Sequence, residues 1–326
     1  GGGTGTSKTI TTANTYTVTG TSSSNGCTAT ASSVIGSNTT APTAGITNNT
    51  GSTELTCART AISVTATGGT AYSWSDGSGV VGTLAGLSIT AAGTYTVTVT
   101  GSNGCTSTAA ITATSNTTAP TVAVSPTSGT LTCSTTFISL TASGASTYSW
   151  NVGGTGSSKS ATTAGTYTVT GTAANGCTAS ASASISSNTT APTAGITNNT
   201  GSTELTCTRT AISVTATGGT SYSWSDGTTV VGTSEDLTIT AAGTYTVTVT
   251  GSNGCTSTNA IAITSNTTAP SVAVSPTSGT LTCATTSITL TASGADSYSW
   301  SGGGTGTSKT ITTANTYTVT GTSSSN

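Results

Sequence analysis

The sequence predicts an all-β chain, a tandem array of small sandwich domains, and three observations carry that prediction. Thr and Val abound, apolar and polar residues alternate with period two, and the chain repeats itself along its length. Branching at Cβ restricts χ1 in a helix and packs well on a pleated surface, so such residues favour strands. Only five Lys or Arg and seven Asp or Glu occur in 326 residues, His is absent, and the net charge is -2. Disordered chains combine high charge with few β-branched residues, the opposite of this pattern.

The repeat fixes the organisation. The string SNTTAPTAGITNNTGSTELTC starts at Ser37 and again at Ser187, and SNTTAPTVAVSPTSGTLTC at Ser115 returns as SNTTAPSVAVSPTSGTLTC at Ser265, a period of 150 residues. NTTAP, LTC, YSW, TYTV and NGC each occur twice per period, so two related domain types of about 75 residues alternate. Pro42, Pro120, Pro192 and Pro270 mark the boundaries, because proline removes a donor and holds the preceding residue extended. The expected domains are residues 1–40 (partial, type two), 41–118 (type one), 119–190 (type two), 191–268 (type one) and 269–326 (partial, type two, without its last strand). Short extended linkers ending in Pro limit the angles between neighbours and predict a rod. Residues 302–326 repeat residues 1–25, so the expectation is an interior window of a longer polymer. That redundancy argues against donation of the missing strand by a neighbouring chain.

Within residues 41–118 each strand is justified by its pattern. In TYTVTVT, Tyr95, Val97 and Val99 share one face and Thr94, Thr96, Thr98 and Thr100 the other. Ile62, Val64 and Ala66 oppose Ser63, Thr65 and Thr67, and Tyr72 pairs with Trp74 and Leu87 with Ile89. Ala44 to Ile46 and Ile111 to Ala113 complete the set, with Gly-rich turns at Gly68, Asp76 and Gly101. About seven short strands per domain is the number of an immunoglobulin-like sandwich. One Trp per domain (Trp74, Trp150, Trp224, Trp300) falls on the central third strand and is read as core, in preference to a sugar-stacking platform. Tyr95, Tyr167 and Tyr245 match a tyrosine corner and are also assigned to the core, and Tyr16 and Tyr317 repeat the motif in the partial domains. Val64 and Val97 take the central inter-sheet positions.

Cysteine spacing excludes zinc, since there is neither CxxC nor His. One disulfide per domain is expected near one end of the sandwich: Cys57 with Cys105, Cys133 with Cys177, Cys207 with Cys255. In the chain-entropy model a loop of roughly 48 residues stabilises by about 3–4 kcal/mol. Cys27 and Cys283 lack partners in their partial domains, and Cys283 is expected to bond to the NGC cysteine of a missing neighbouring segment. The bridges place the chain in an oxidising, extracellular compartment.

The string LTC, ISLTASG, YSW, GTYTVT, NGCT resembles the immunoglobulin-like and PKD-like repeats of giant secreted surface proteins in Bacteroidota, the gliding-motility adhesins of the type IX secretion system among them. The resemblance covers essentially the whole chain. It implies export and surface attachment and supplies no catalytic or binding residue.

Acid–base catalysis needs His or tuned carboxylates, and the only adjacent acidic pair, Glu235-Asp236, is replaced by Ala85-Gly86 in the equivalent repeat. No enzyme, cofactor or metal site is predicted. Lys8, Lys159 and Lys309 lack the buried acid that an isopeptide staple requires, and Asp76 and Asp226 are single acids in DG turns, not calcium loops. Rows of outward Thr resemble an ice-binding face only over short stretches of a twisted sheet. Asn38-Thr39-Thr40 and Asn48-Asn49-Thr50 are glycosylation sequons, common by chance in a Thr-rich chain. No basic surface exists for nucleic acid, and no run of about 18 apolar residues spans a bilayer.

Two functional readings follow. One is a structural filament or stalk at the cell surface, whose partners are copies of itself, continued end to end or bundled laterally through a low-charge surface. The other is an adhesin whose domains bind a glycan or a host or surface ligand through the loop Ser78 to Gly86, where the type-one repeats differ most.

Overall fold

The computed structural model describes residues 2–325, so Gly1 and Asn326, at the outer limits of the first and last expected domains, lie outside the described residues. Every regular element among the described residues is a strand, and no helix is long and apolar enough to cross a membrane. The chain forms a tandem array of immunoglobulin-like sandwiches. It divides into two compact units, one of Gly1–Thr127, Ser139–Lys159 and Thr166–Ala183, the other of Ser128–Ile138, Ser160–Gly165 and Ser184–Asn326.

The first unit opens with an antiparallel hairpin of β1 (Asn14–Thr21) and β2 (Thr28–Ile35). Residues 41–118 then supply β3 (Gly45–Asn48), β4 (Glu54–Thr56), β5 (Ile62–Thr67), β6 (Ala71–Ser75), β7 (Val80–Gly82), β8 (Gly86–Ile89), β9 (Gly93–Thr100) and β10 (Thr106–Asn116). They make two sheets, of order β3-β5-β8 and β4-β10-β9-β6-β7. That is eight strands where the sequence predicts about seven. The two that alternation does not reveal, β4 and β7, have three residues each, too few to show a period. β7 falls inside the segment read as the variable loop. Ile62, Val64, Trp74, Val97 and Val99 fill the space between the sheets and are fully buried. The Trp74 indole N–H donates to the Leu84 carbonyl at 3.1 Å, and the Tyr95 hydroxyl donates to the Ala91 carbonyl, four residues upstream, at 3.1 Å. Gly68 illustrates what the tight corners demand. Its φ is 100°, and an added Cβ would meet the Thr43 carbonyl oxygen at 1.9 Å.

Residues 119–190 carry seven strands, β11 (Ala123–Ser125), β12 (Ser128–Thr132), β13 (Ile138–Ser143), β14 (Thr147–Trp150), β15 (Ser158–Ala161), β16 (Gly165–Thr172) and β17 (Thr178–Asn188). In the first unit β11 pairs antiparallel with β13, and Thr147–Trp150 with Val169–Thr172. Trp150, Tyr167 and Val169 are buried.

In the second unit β12 runs parallel to Ser184–Asn188. Residues 191–268 repeat the eight-stranded arrangement, with Gly195–Asn198, Ile212–Thr217 and Asp236–Ile239 in one sheet and Thr256–Asn266 and Gly243–Thr250 central to the other. Trp224 is fully buried and Tyr245 nearly so. The described residues of 269–326 contribute five strands, and Trp300 with Tyr298 anchors their core. Local sequence does not fix every element. The pentapeptide SGTLT is strand β12 at 128–132, where Ser184–Asn188 pairs with it, and irregular at 278–282, where no described segment does.

Candidate functional site: the joint between repeats

The chain's most elaborate chemistry lies where one repeat meets the next, and three segments build it. The first is the turn after LTC. The Thr56 amide donates to the Arg59 carbonyl at 2.8 Å, and the Arg59 amide returns to Thr56 Oγ1 at 3.0 Å, leaving Cys57 at the tip. Thr132 with Thr135 and Thr206 with Arg209 reproduce it around Cys133 and Cys207. β4 pairs in parallel with the end of β10, Thr56 opposite Asn116, so this turn sits beside the exit into the linker.

The second segment is the NGC turn of the following repeat, and the third is the linker it grips. Asn175 Nδ2 donates to the Asn116 carbonyl at 3.2 Å, to Asn116 Oδ1 at 3.1 Å and to the Thr118 carbonyl at 3.0 Å. Its Oδ1 accepts from the Cys177 amide at 3.0 Å. One side-chain amide thus ties linker to turn, and every polar atom of it is used. Asn253 makes the same four bonds to Asn188, Thr190 and Cys255, and Asn103 to Asn38, Thr40 and Cys105.

The bridges follow from this placement and correct the pairing expected from sequence. Cys57 bonds to Cys177, not Cys105, and Cys133 bonds to Cys255, not Cys177. The Cα atoms are 5.0 Å apart in both. Cys207 does not pair with Cys255, and Cys27, Cys105, Cys207 and Cys283 are free thiols. The reason is the length of the last strand. Cys57 lies at the C-terminal end of β10 and Cys105 just before its N-terminal end, and at about 3.3 Å per residue the 11-residue strand separates them by roughly 35 Å. A disulfide needs Cα atoms within about 7 Å, so LTC reaches only the NGC turn that arrives across the linker. The Ala58 amide also donates to the Asn175 carbonyl at 3.3 Å. The turn glycine is packed tightly, for a Cβ on Gly176 would meet Ala58 Cβ at 2.5 Å and one on Gly254 would meet Ser134 Cβ at 2.8 Å.

A shallow cleft at this joint, lined by Glu54, Arg59, Asn116 and Asn175, is polar and open. Among the described residues no group of His, Cys, Asp and Glu is arranged to hold a metal ion. Lys159 and Lys309 cap turns. Lys159 Nζ donates to the Gly153 carbonyl at 2.8 Å, Lys309 does the same to Gly303, and the Lys8 and Lys309 ammoniums stand 5.8 and 5.6 Å from the Tyr16 and Tyr317 ring centres. Asp226 accepts the amides of Thr228 and Thr229 in its turn, and those bonds hold its pKa down at about 2. The Asp76 carboxyl is lowered in the same way by Ser78 and Gly79. Asp236, of the acidic pair, accepts from the Thr215 hydroxyl across the sheet. Sequence spacing located every cysteine of the joint but missed Asn103, Asn175 and Asn253 as its polar centre. The signal was present, since each precedes Gly-Cys.

No family model matches the chain, and no curated protein does. Solved structures do. A structure of a 1.5-MDa bacterial ice-binding adhesin, concerned with host cell surface retention, aligns over 71% of this chain and 100% of its own at 16% identity and TM-score 0.39. Three N-terminal domains of the bacteriophage RB49 highly immunogenic outer capsid protein align over 69% and 100% at 17% identity and TM-score 0.31. Extracellular domains 3–5 of Drosophila OTK align over 64% and 91% at 11% identity and TM-score 0.28.

Proposed function

We propose that the chain is the structural repeat region of an extracellular cell-surface filament or adhesin stalk, non-enzymatic and built to transmit tension. The observation that carries this reading is the bond from each LTC turn to the NGC turn of the next repeat, Cys57 to Cys177 and Cys133 to Cys255. A bridge inside one repeat would stabilise that repeat alone. A bridge across a linker makes the separation of neighbours a covalent distance, so pulling loads an S–S bond before the hydrogen bonds of β9 and β10. Disulfides persist in oxidising compartments, which supports an extracellular setting. The resemblance to Bacteroidota surface repeats favours a cell-surface protein of that group, exported by the type IX route.

The test is stretching of the chain in a single-molecule instrument, with and without reductant. With bridges intact, the first extension under load stops short of the length that the unbridged chain releases, and reductant restores that length. Equal released lengths in both conditions would reject the tension-bearing role. A second reading, ligand binding through residues 78–86, draws on the exposure of Val80, Val81 and Leu84. Binding of purified repeats to an arrayed glycan or surface-protein set, abolished by Val80→Ser with Leu84→Ser, would favour it. An array on which the repeats bind nothing argues against it.

A further inference from the structure

Two joints are closed within the chain, and the halves of two more stand open. Cys207 occupies the same turn as Cys57, beside the same parallel pairing, here Glu204–Thr206 with Thr264–Asn266, and its exposed thiol reaches only the Thr267 carbonyl at 3.7 Å. Cys283 occupies that turn as well, with the Thr282 amide donating to the Thr285 carbonyl at 2.9 Å and the Thr285 amide to Thr282 Oγ1 at 3.0 Å. Cys105 and Cys27 sit in NGC turns, and the Asn103 clamp is already made. A Cβ on Gly104 or Gly26 would touch nothing within 4 Å, whereas the equivalent Gly176 and Gly254 are packed against the partner turn. The turns that carry the four cysteines are therefore formed, and the glycines of the two NGC turns lack the opposing surface that covers Gly176 and Gly254.

The surrounding strands tell the same story. Val169 is 0% exposed and Ile185 3% in residues 119–190, yet the matching Val18 and Ile35 of the β1–β2 hairpin are 63% and 39% exposed. Segment 278–282, irregular here, has the sequence of β12, which pairs with Ser184–Asn188, the counterpart of residues 34–38. Placing 278–282 along 34–38 would set Cys283 beside Asn38, whose carbonyl and Oδ1 are already held by Asn103, two residues from Cys105.

We propose that Cys207 and Cys105 are covalent joining sites for further repeats: Cys207 takes the cysteine of an incoming NGC turn and Cys105 that of an incoming LTC turn. The inference rests on the structural reading above and extends it to the partner. A second copy of this chain presents both counterparts in one junction, Cys27 for Cys207 and Cys283 for Cys105. Residues 1–25 duplicate 302–326, so one of the two segments gives way on docking. Docking requires Ser308–Ile311 and Val319–Thr322, which pair with Ile288–Thr291 and Ser297–Trp300, to yield to residues 1–25, whose β1 arrives already hairpinned to β2. The expectation that the duplication argues against donation is thereby set aside. Joining is an oxidation. With a low-molecular-weight disulfide such as glutathione disulfide, the Cys207 thiolate attacks one glutathione sulfur and expels a glutathione thiolate. The Cys27 thiolate then attacks the Cys207 sulfur of the mixed disulfide, forming the S–S bond and releasing the second glutathione.

The experiment reduces the purified 326-residue chain, reoxidises it with glutathione disulfide at high protein concentration, and maps the disulfide peptides of monomer and oligomer. The expected oligomer peptides link Cys207 to Cys27 and Cys283 to Cys105. Cys27→Ser, at an exposed position, removes the first and spares the second. Like-with-like links such as Cys207 to Cys207, random mixtures, or four thiols still open to alkylation would overturn the proposal while leaving the structural reading in place, provided Cys57–Cys177 is found. Within-repeat links, Cys57 to Cys105 or Cys207 to Cys255, would overturn both. Mapping native material separates sources, because the same peptides within one continuous polypeptide identify the incoming repeat as the chain's own continuation.

Discussion

Removing one cysteine at a time distinguishes a bridge across the linker from a bridge within a repeat, because the two arrangements couple different residues. The Cys57–Cys177 bond closes a loop of sequence separation 120, and in the chain-entropy model a loop of that size stabilises by about 5 kcal/mol against full unfolding. Cys57→Ser and Cys177→Ser should each lose about that amount, a shift of roughly 1–2 M in the guanidinium midpoint. The double variant should lose no more than either single one, because both remove the same bond. Cys105→Ser should leave the midpoint unchanged, since that residue makes no disulfide in this chain. The buried tryptophans Trp74 and Trp150 report the transition by fluorescence. Reductant supplies the control: wild type and Cys57→Ser should then unfold together. A Cys105→Ser variant as weakened as Cys57→Ser, or additive losses for Cys57→Ser and Cys177→Ser, would refute the assignment.

Three further outcomes follow from the joint and the turns. Asn175→Ala leaves two linker carbonyls and the Cys177 amide without their partner and should cost about 1–3 kcal/mol in thermal unfolding; a loss within error would mean that water replaces the clamp. Gly176→Ala and Gly104→Ala impose the same left-handed backbone strain, φ 79° and 80°, of about 1–2 kcal/mol. Only the first also drives a methyl into Ala58, so its melting temperature should fall further, and equal shifts would place Gly176 in open space. The Asp226 carboxyl should titrate near 2 by carbon-detected NMR, against a reference of 3.8. Because its folded pKa is depressed, its contribution to stability is fully present above pH 3.8 and is lost as the pH falls toward about 2. A titration midpoint near 3.8 would show that the Thr228 and Thr229 amides do not hold it.

Much of the sandwich was legible because its long strands obey a simple period. Tyr95, Val97 and Val99 alternate with threonines in sequence and are the buried face of β9, and one tryptophan per repeat lies between the sheets. Pairing of the cysteines was not legible, because alternation reveals which face a residue takes and not which end of the sandwich it reaches. That depends on β4, whose three residues cross to the far end of β10 through a parallel pairing between segments remote in sequence. The two SGTLT segments make the same point. Leu131 is buried and Leu281 only half-buried, although their neighbours are identical, because a strand of this kind exists only where its partner does. The length of β10 was the readable clue: an unbroken strand between NGC and NTTAP holds those two motifs far apart.

The two bridges also change what it means to cut this chain. One encloses residues 57–177 and the other 133–255, so the rings overlap over 133–177. Any single peptide bond between Cys57 and Cys255 lies inside at least one ring, and a protease that severs it leaves both fragments attached. Under oxidising conditions a nicked chain would run as one species on a denaturing gel and fall into two only after reduction. Between Cys57 and Cys255, two cuts within the same ring are the least that can release a fragment.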